Sequence, residues 1–320
     1  RRPPRSTQSR SSAASDVYKR QVFILIILGN ILRRVGVPDV TFWDVNDKLV
    51  YWVLIPSLLF HHISQINLSS SMFYSYSIVI LSGLFIISIA AILMGRLLGY
   101  SPESWSSILQ GAVRHNAFIA LAIAGSLFGD EGLAIGAVFM LIYVPSINIV
   151  VISIMVTNLT QPGQAESSKG IANIFIELIK NPFILSMIAG ILVSSFDSEK
   201  LIIINETSGL LGSAALPIML LTIGAKITVR DLALKIIPII ISNSLKLIAF
   251  PLIAYFVATF MGLSQLEIIV AVIFASVPTA ASSHALAKQF GGDEKLMTSI
   301  VTTQVALSFI TIPLILAFIT

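Results

Sequence analysis

The sequence predicts an all-α polytopic membrane protein: ten transmembrane helices forming an inverted repeat of two five-helix units. Three observations predict it. The 320-residue chain is 56% hydrophobic and only 11% charged, where soluble domains carry roughly 25% charged residues. Apolar runs of bilayer-crossing length recur along it, giving a mean hydropathy of +0.91. Finally, paired motifs recur at a nearly constant offset between its two halves. The chain has no cysteine, which excludes disulfides, thiol nucleophiles and thiolate metal sites.

Residues 1–21, "RRPPRSTQSRSSAASDVYKRQ", hold six of the 20 Lys/Arg and one of the 16 Asp/Glu. The rest of the chain is then 14 basic against 15 acidic, so the formal charge of +4 implies no nucleic-acid partner. The stretch has neither the apolar core nor the cleavage pattern of a signal peptide. It is expected to be a disordered, non-native leader, the alternative being a basic cytoplasmic tail.

A spanning helix needs about 20 mostly apolar residues. Walking the chain on that criterion gives spans at 21–36, 46–62, 72–99, 105–128, 132–157, 181–197, 207–226, 232–261, 266–289 and 295–319. The first is short and begins abruptly at Gln21. Charge then sets the orientation. Connections after spans 1, 3, 5, 7 and 9 hold eleven Lys/Arg, from Arg33 to Lys295, and the other four connections hold only Lys200. That asymmetry puts the odd-numbered connections in the cytoplasm and both termini outside.

The repeat is read from three pairs. Pro56 and Pro217 are 161 residues apart, Asp130 and Asp293 163 apart, and Pro145 and Pro313 168 apart. A polar linker at 158–170 separates the copies, giving units 22–157 and 171–320. Five spans per copy inverts the second in the membrane, an architecture of secondary transporters, whose substrates bind near the midplane where matching helices are broken.

Spans 4 and 9 are the expected broken pair. Span 4 carries "AVRHNAFIALAIAG", with Arg114, His115 and Asn116 at mid-membrane. Span 9 carries "SVPTAASSHALAKQF", in which Pro278 removes a helical hydrogen bond among Thr279, Ser282, Ser283 and His284. An arginine at mid-span costs about 2.5–3.5 kcal/mol on insertion scales, so Arg114 either faces an anion, water or protein, or pairs structurally. Asn116 offers two N–H donors to a carboxylate without a second fixed charge, the alternative being helix–helix glue. Gln304 and Asn148, in comparable parts of the two halves, either line the cavity or hold helices together. Lys246 is a counter-charge or a partner for a backbone carbonyl. If protons couple to transport, His115 or His284 carries them, because no Asp or Glu sits mid-span.

These residues resemble the auxin efflux carrier family, whose bacterial members show Arg-x-Asn before a small, apolar run, as "RHNAFIALA" does. "PTAASSHALAKQFGGD", "LIPSLLF" and "TTQVALSFITIP" are similar to further family positions, and the resemblance runs from residue 22 to the carboxyl terminus. It implies that helices 4 and 9 cross in an X at the substrate site. It also implies that Asn116 faces the substrate carboxylate and that Pro278 is the crossover proline. Plant relatives have a proline just before this asparagine. Here it is His115, so a less sharply broken helix 4 is expected, and the long central loop of many plant carriers is absent.

The function expected is secondary transport of small organic acid anions by alternating access, without cofactor, metal or catalysis. A sodium-coupled carrier of the bile-acid type is the alternative, and an intramembrane enzyme a remote one. Expected partners are a small carboxylate substrate and the lipid bilayer of the inner membrane, with a homodimer left open. Replacing Asn116 by alanine is expected to abolish saturable uptake while leaving stability nearly intact.

Overall fold

The computed structural model describes residues 24–66, 70–159, 180–194, 201–226, 235–280 and 282–319. The leader at 1–21 and residues 160–170 of the linker lie outside the described residues. Helix and turn account for the described chain, with no strand among the described residues.

Helix α1 covers 24–35. Helix α2 is continuous through Val40–Leu49, a π turn Val50–Leu54 and Ile55–Gln65. It begins before the predicted residue 46 because its first turns are amphipathic: Trp43, Asn46 and Val50 point inward while Asp44 and Lys48 are exposed. Mean hydropathy cannot see such a stretch. Helix α3 is Ser70–Leu97, α4a is Pro102–Val113, and the run Ala117–Leu159 is divided by Gly129 into α4b and α5. Then come α6, Pro182–Ser194, and α7, Ile202–Lys226. Helix α8 joins Ile236–Ser244, a π turn Leu245–Ala249 and Phe250–Phe260. The chain closes with α9a (Gln265–Ser276), α9b (Ser282–Phe290) and α10 (Glu294–Ile319). Five helical stretches, three of them α3, α7 and α10, are long and apolar enough to cross a membrane.

Local sequence explains the irregularities. Both π turns sit directly before a proline at the second position of the next segment, Pro56 and Pro251. A proline ring has no N–H and clashes with the carbonyl four residues back, here Trp52 and Leu247. Widening that turn removes the clash without ending the helix. The α4b–α5 and α9b–α10 turns each need a residue with positive φ, Gly129 at 58° and Gly291 at 76°, which glycine adopts without a Cβ clash.

The helices pack as two groups. Helix α2 lies chiefly against α6 and α7, antiparallel to α7: Asn46 donates to Thr222 at 2.6 Å near one end, and His61 meets Asn205 at 2.8 Å near the other. Helix α1 joins this group through glycines. A Cβ on Gly224 would strike the carbonyl oxygen of Ile26, and one on Gly29 that of Leu221. The close approach lets Asn30 donate to Gly224 O at 3.1 Å and Arg33 to Ala225 O at 2.5 Å. In the second group, α3 packs on α4a and α8, α9a on α8 and the α4b–α5 run, and α10 on α4a, α8 and α9a.

Asp293 ties the second group together at one end. It accepts from Lys235 at 2.7 Å and Ser104 at 3.1 Å, and from the Leu296 N–H at 3.0 Å. Its own N–H donates to Glu103 O at 3.1 Å. Burial pushes the Asp293 carboxyl up, but the bonds from Lys235, Leu296 and Ser104 outweigh it and hold it below the usual carboxylate range.

The glycine contact gives the first prediction. Because the atoms a side chain would meet are backbone, Gly224→Val should cost about 3 kcal/mol, as severe overpacking does. Gly83→Ala meets only the Phe250 ring and should cost less. Thermal unfolding of the detergent-purified variants measures both, and an unchanged midpoint for Gly224→Val would refute the tight crossing.

Candidate functional site

Two interruptions dominate the centre of the second group. Helix α4a ends where Arg114 turns extended (φ −71, ψ 153), and α9a ends where Val277 does the same (φ −67, ψ 149). Pro278 explains the second break. The first has no proline, yet residues 114–116 are non-helical. Asn116 supplies the reason. Its Oδ1 accepts from the N–H groups of Phe118 at 3.1 Å and Ile119 at 3.2 Å, so it caps the amino terminus of α4b. An asparagine cap satisfies donors that would otherwise be orphaned inside the protein.

The breaks are laced to each other. The Asn116 N–H donates to Pro278 O at 2.7 Å. Thr279 Oγ1 donates to Gly111 O at 2.7 Å, and its N–H to Gln304 Oε1 at 2.9 Å. Gln304 Nε2 returns to Gly111 O at 2.9 Å. Tyr143 donates its hydroxyl to Val113 O at 2.6 Å. Backbone groups freed by the two interruptions thus find partners from α5 and α10.

A cavity of about 690 Å³ opens beside the breaks, within the range of small-molecule sites. Arg114, His115, Asn116, Asn148, Thr279 and Ser282 line it from one group, and Tyr51, Asn181, Phe183, Met219 and Thr222 from the other. Arg114 donates to Asn148 Oδ1 at 3.3 Å and Ser282 Oγ at 3.2 Å. It therefore bridges α5 and the start of α9b across the cavity wall. The two N–H donors near Oδ1 fix the orientation of the Asn116 amide, and its Nδ2 makes no hydrogen bond among the described residues. The His115 ring is buried edge-on to Tyr143, centroids 4.1 Å apart.

The structure thus brings together six of the nine residues the sequence nominated. Pro278, Ser283 and Gln304 stand behind the lining. Gln304 is fully buried and spent on backbone groups, and Ser283 is fully buried. His284 lies away from the cavity, bonded to Thr298 at 3.0 Å. Sequence reasoning missed four polar residues of the lining, Asp47, Lys180, Asn181 and Gln289. The "KNP" of residues 180–182 was a usable signal, since Asn181 caps α6 by accepting from Phe183 N–H at 2.9 Å.

A concave, mostly apolar chamber between two helix groups, with a guanidinium and amide donors at broken helices, defines a membrane transporter. The comparisons agree: a family model described as "Membrane transport protein" matches residues 20–316. The chain belongs to that family, the auxin efflux carriers. Two relatives, both named uncharacterized transporters, come from Methanothermobacter thermautotrophicus and Methanocaldococcus jannaschii. The first is 24% identical over 305 residues, covering 92% of this chain and 94% of its own length. The second is 24% identical over 307 residues, covering 92% and 95%.

The cap changes what Asn116 variants should do. Asn116→Ala removes two accepted hydrogen bonds and should cost about 1 kcal/mol of stability, so it is not the neutral probe the sequence suggested. Asn116→Asp keeps a capping oxygen but removes the Nδ2 donors. It should unfold at a temperature close to wild type and lose at least about tenfold in carboxylate affinity, one charged hydrogen bond's worth. Wild-type affinity in Asn116→Asp would make the residue a cap and nothing more.

Proposed function

We propose that the chain moves small organic acid anions across the cytoplasmic membrane by alternating access, with the lining around Arg114 and Asn116 as the substrate site. One observation carries this reading: Arg114 and Asn116, whose Nδ2 makes no hydrogen bond among the described residues, line one chamber from a single helix break. A carboxylate there gains charge-assisted bonds from the guanidinium, which neutral Asn148 and Ser282 now occupy. Such bonds are roughly twice as strong as neutral ones, so exchange favours the anion while the displaced acceptors keep net affinity modest. A carrier must also release its cargo.

The helix pattern supports ten membrane passes in an inverted repeat. Segments α4a and α9a are each 12 residues long and start 163 residues apart, at Pro102 and Gln265, the same offset as Asp130 and Asp293. The cavity runs between the two helix groups, so a shift of one group against the other would change the side to which it opens. Its lining includes Asp47, Lys180 and Gln289, at helix ends next to the connections that the charge asymmetry assigns to the cytoplasm. The reading is therefore of a cytoplasm-facing state, with both termini outside. Sodium coupling is the weaker reading, because the oxygens of Asn116 and Gln304 that could ligate a cation already accept backbone N–H bonds.

Two measurements test this. Purified protein screened by thermal shift against acetate, lactate, malonate, succinate and malate should be stabilised by at least one acid, and reconstituted vesicles should take that acid up saturably without sodium. No stabilisation and no uptake by any of them would sink the organic-anion reading. Single cysteines introduced at Ser167 and, separately, in the Lys200 connection should label from the cytoplasmic and the external side respectively, and the reverse pattern would overturn the orientation.

A further inference from the structure

Lys246 is fully buried in the π turn of α8. Its Nζ has no hydrogen-bond acceptor among the described residues and lies 4.7 Å from the centroid of the Phe250 ring. That ring stacks 6.2 Å from Tyr143, which meets His115 edge-on. Both ring nitrogens of His115 are buried without partners, as are both amide atoms of Gln110 on α4a, a helix that packs against the π turn. Two aromatic rings, Phe250 and Tyr143, thus link the Lys246 ammonium to His115 at the cavity lining.

The helices packed around the π turn bring no counter-charge to it. Their acidic residues Glu103, Glu267 and Glu294 belong to first turns, far along each helix from its middle. Arg96 closes the last turn of α3, Lys235 and Lys295 sit at helix starts, and Tyr76 is bonded to Glu267. A buried ammonium without an anion is expensive, and an aromatic face returns only part of the cost. An anion in the cavity would supply the missing charge. Ionisable groups placed this way inside membrane helices are the means by which carriers bind protons.

We propose that Lys246 is a proton-binding site coupled to the anion cavity by its charge, so that anion and proton bind in mutual support. In the cycle, the amine lone pair on Lys246 takes a proton from water as the anion binds, and the same proton returns to water when the anion leaves. Reciprocity requires that if the anion favours the proton, the proton favours the anion by the same factor. The inference rests on the carrier reading and adds the ion that travels with the substrate.

The test is proton uptake on binding. Purified full-length protein in weak buffer with a pH indicator receives an equimolar mixture of acetate, lactate, malonate, succinate and malate, with thermal shift read in parallel. At about pH 7–8 these acids are ionised, so protons taken up go to the protein. Wild type should take up about one proton per bound anion, and its affinity should fall up to about tenfold per pH unit where the site loses its proton. Lys246→Met, an apolar replacement of similar length that should fold at least as well, should still be stabilised by the mixture but take up no proton and bind independently of pH. Lys246→Gln should behave the same way if the methionine variant misfolds. Stabilisation with wild-type proton uptake in Lys246→Met or Lys246→Gln overturns the proton site and leaves the carrier reading standing. Failure of the mixture to stabilise wild type removes the carrier reading and the proton site together.

Discussion

Everything in this fold depends on satisfying the backbone where two helices stop in mid-protein. An interrupted helix frees N–H and C=O groups that lipid cannot satisfy, each costing several kcal/mol if left bare. Here Gly111 O receives two donors, Thr279 Oγ1 and Gln304 Nε2, and Val113 O receives the Tyr143 hydroxyl. The N–H of Asn116 goes to Pro278 O, and that of Thr279 to Gln304 Oε1. Three side chains, one from the second break and one each from α5 and α10, thus hold both breaks open. Gly111 permits it sterically, since a Cβ there would run into Ser242 and Ile300.

The same economy decides which atoms face the cavity. The carbonyls of Gly111, Val113 and Pro278 are spent on protein donors, whereas Arg114 and Asn116, which carry the donors of the first break, line the chamber. Had the carbonyls been the exposed set, the chamber would favour cations. On the proposed reading, a preference for anions would follow from how the breaks are stitched and not from net charge, which beyond residue 21 is close to zero. Asn116 is the joint between the two tasks, with its oxygen committed to the fold and its nitrogen available.

Much of this was legible in the sequence, and the failures share a cause. Hydropathy located the helices because burial in lipid is a property of averages, and the mid-span run Arg114–Asn116 and Pro278 located the breaks because polarity there demands an explanation. Averages could not find the start of α2 at Val40, where a polar face hides an apolar one. Pattern could not find the α1–α7 crossing at Gly29 and Gly224, because the glycines meet each other's helix across nearly 200 residues with no local motif. Composition alone could not sort Gln304 from Asn148. Both are amides in matching halves, and only the direction of the side chain makes one a clamp behind the breaks and the other part of the cavity wall. Nor could it show that the helix breaks at His115 without a proline there, since the cap that ends the interruption lies one residue later.

The division into two packing groups then gives the stitched breaks a mechanical meaning on the proposed reading. The breaks and their partners Tyr143, Gln304 and Ser242 belong to one group, so the network can travel as a unit without exposing any backbone atom. Helices α2, α6 and α7 present a mainly apolar wall across the cavity, with Met219 and Phe183 facing the charged lining. Sliding an apolar wall past a satisfied polar unit requires few directional bonds to break, whereas separating α4a from α9a would uncover Gly111 O and Pro278 O together. Motion between the groups is therefore the inexpensive coordinate, and motion within the crossing the forbidden one. The polar contacts that do join helices at the ends, such as Asn46 with Thr222 and Asp293 with Lys235, each fall within one group and would ride along with it.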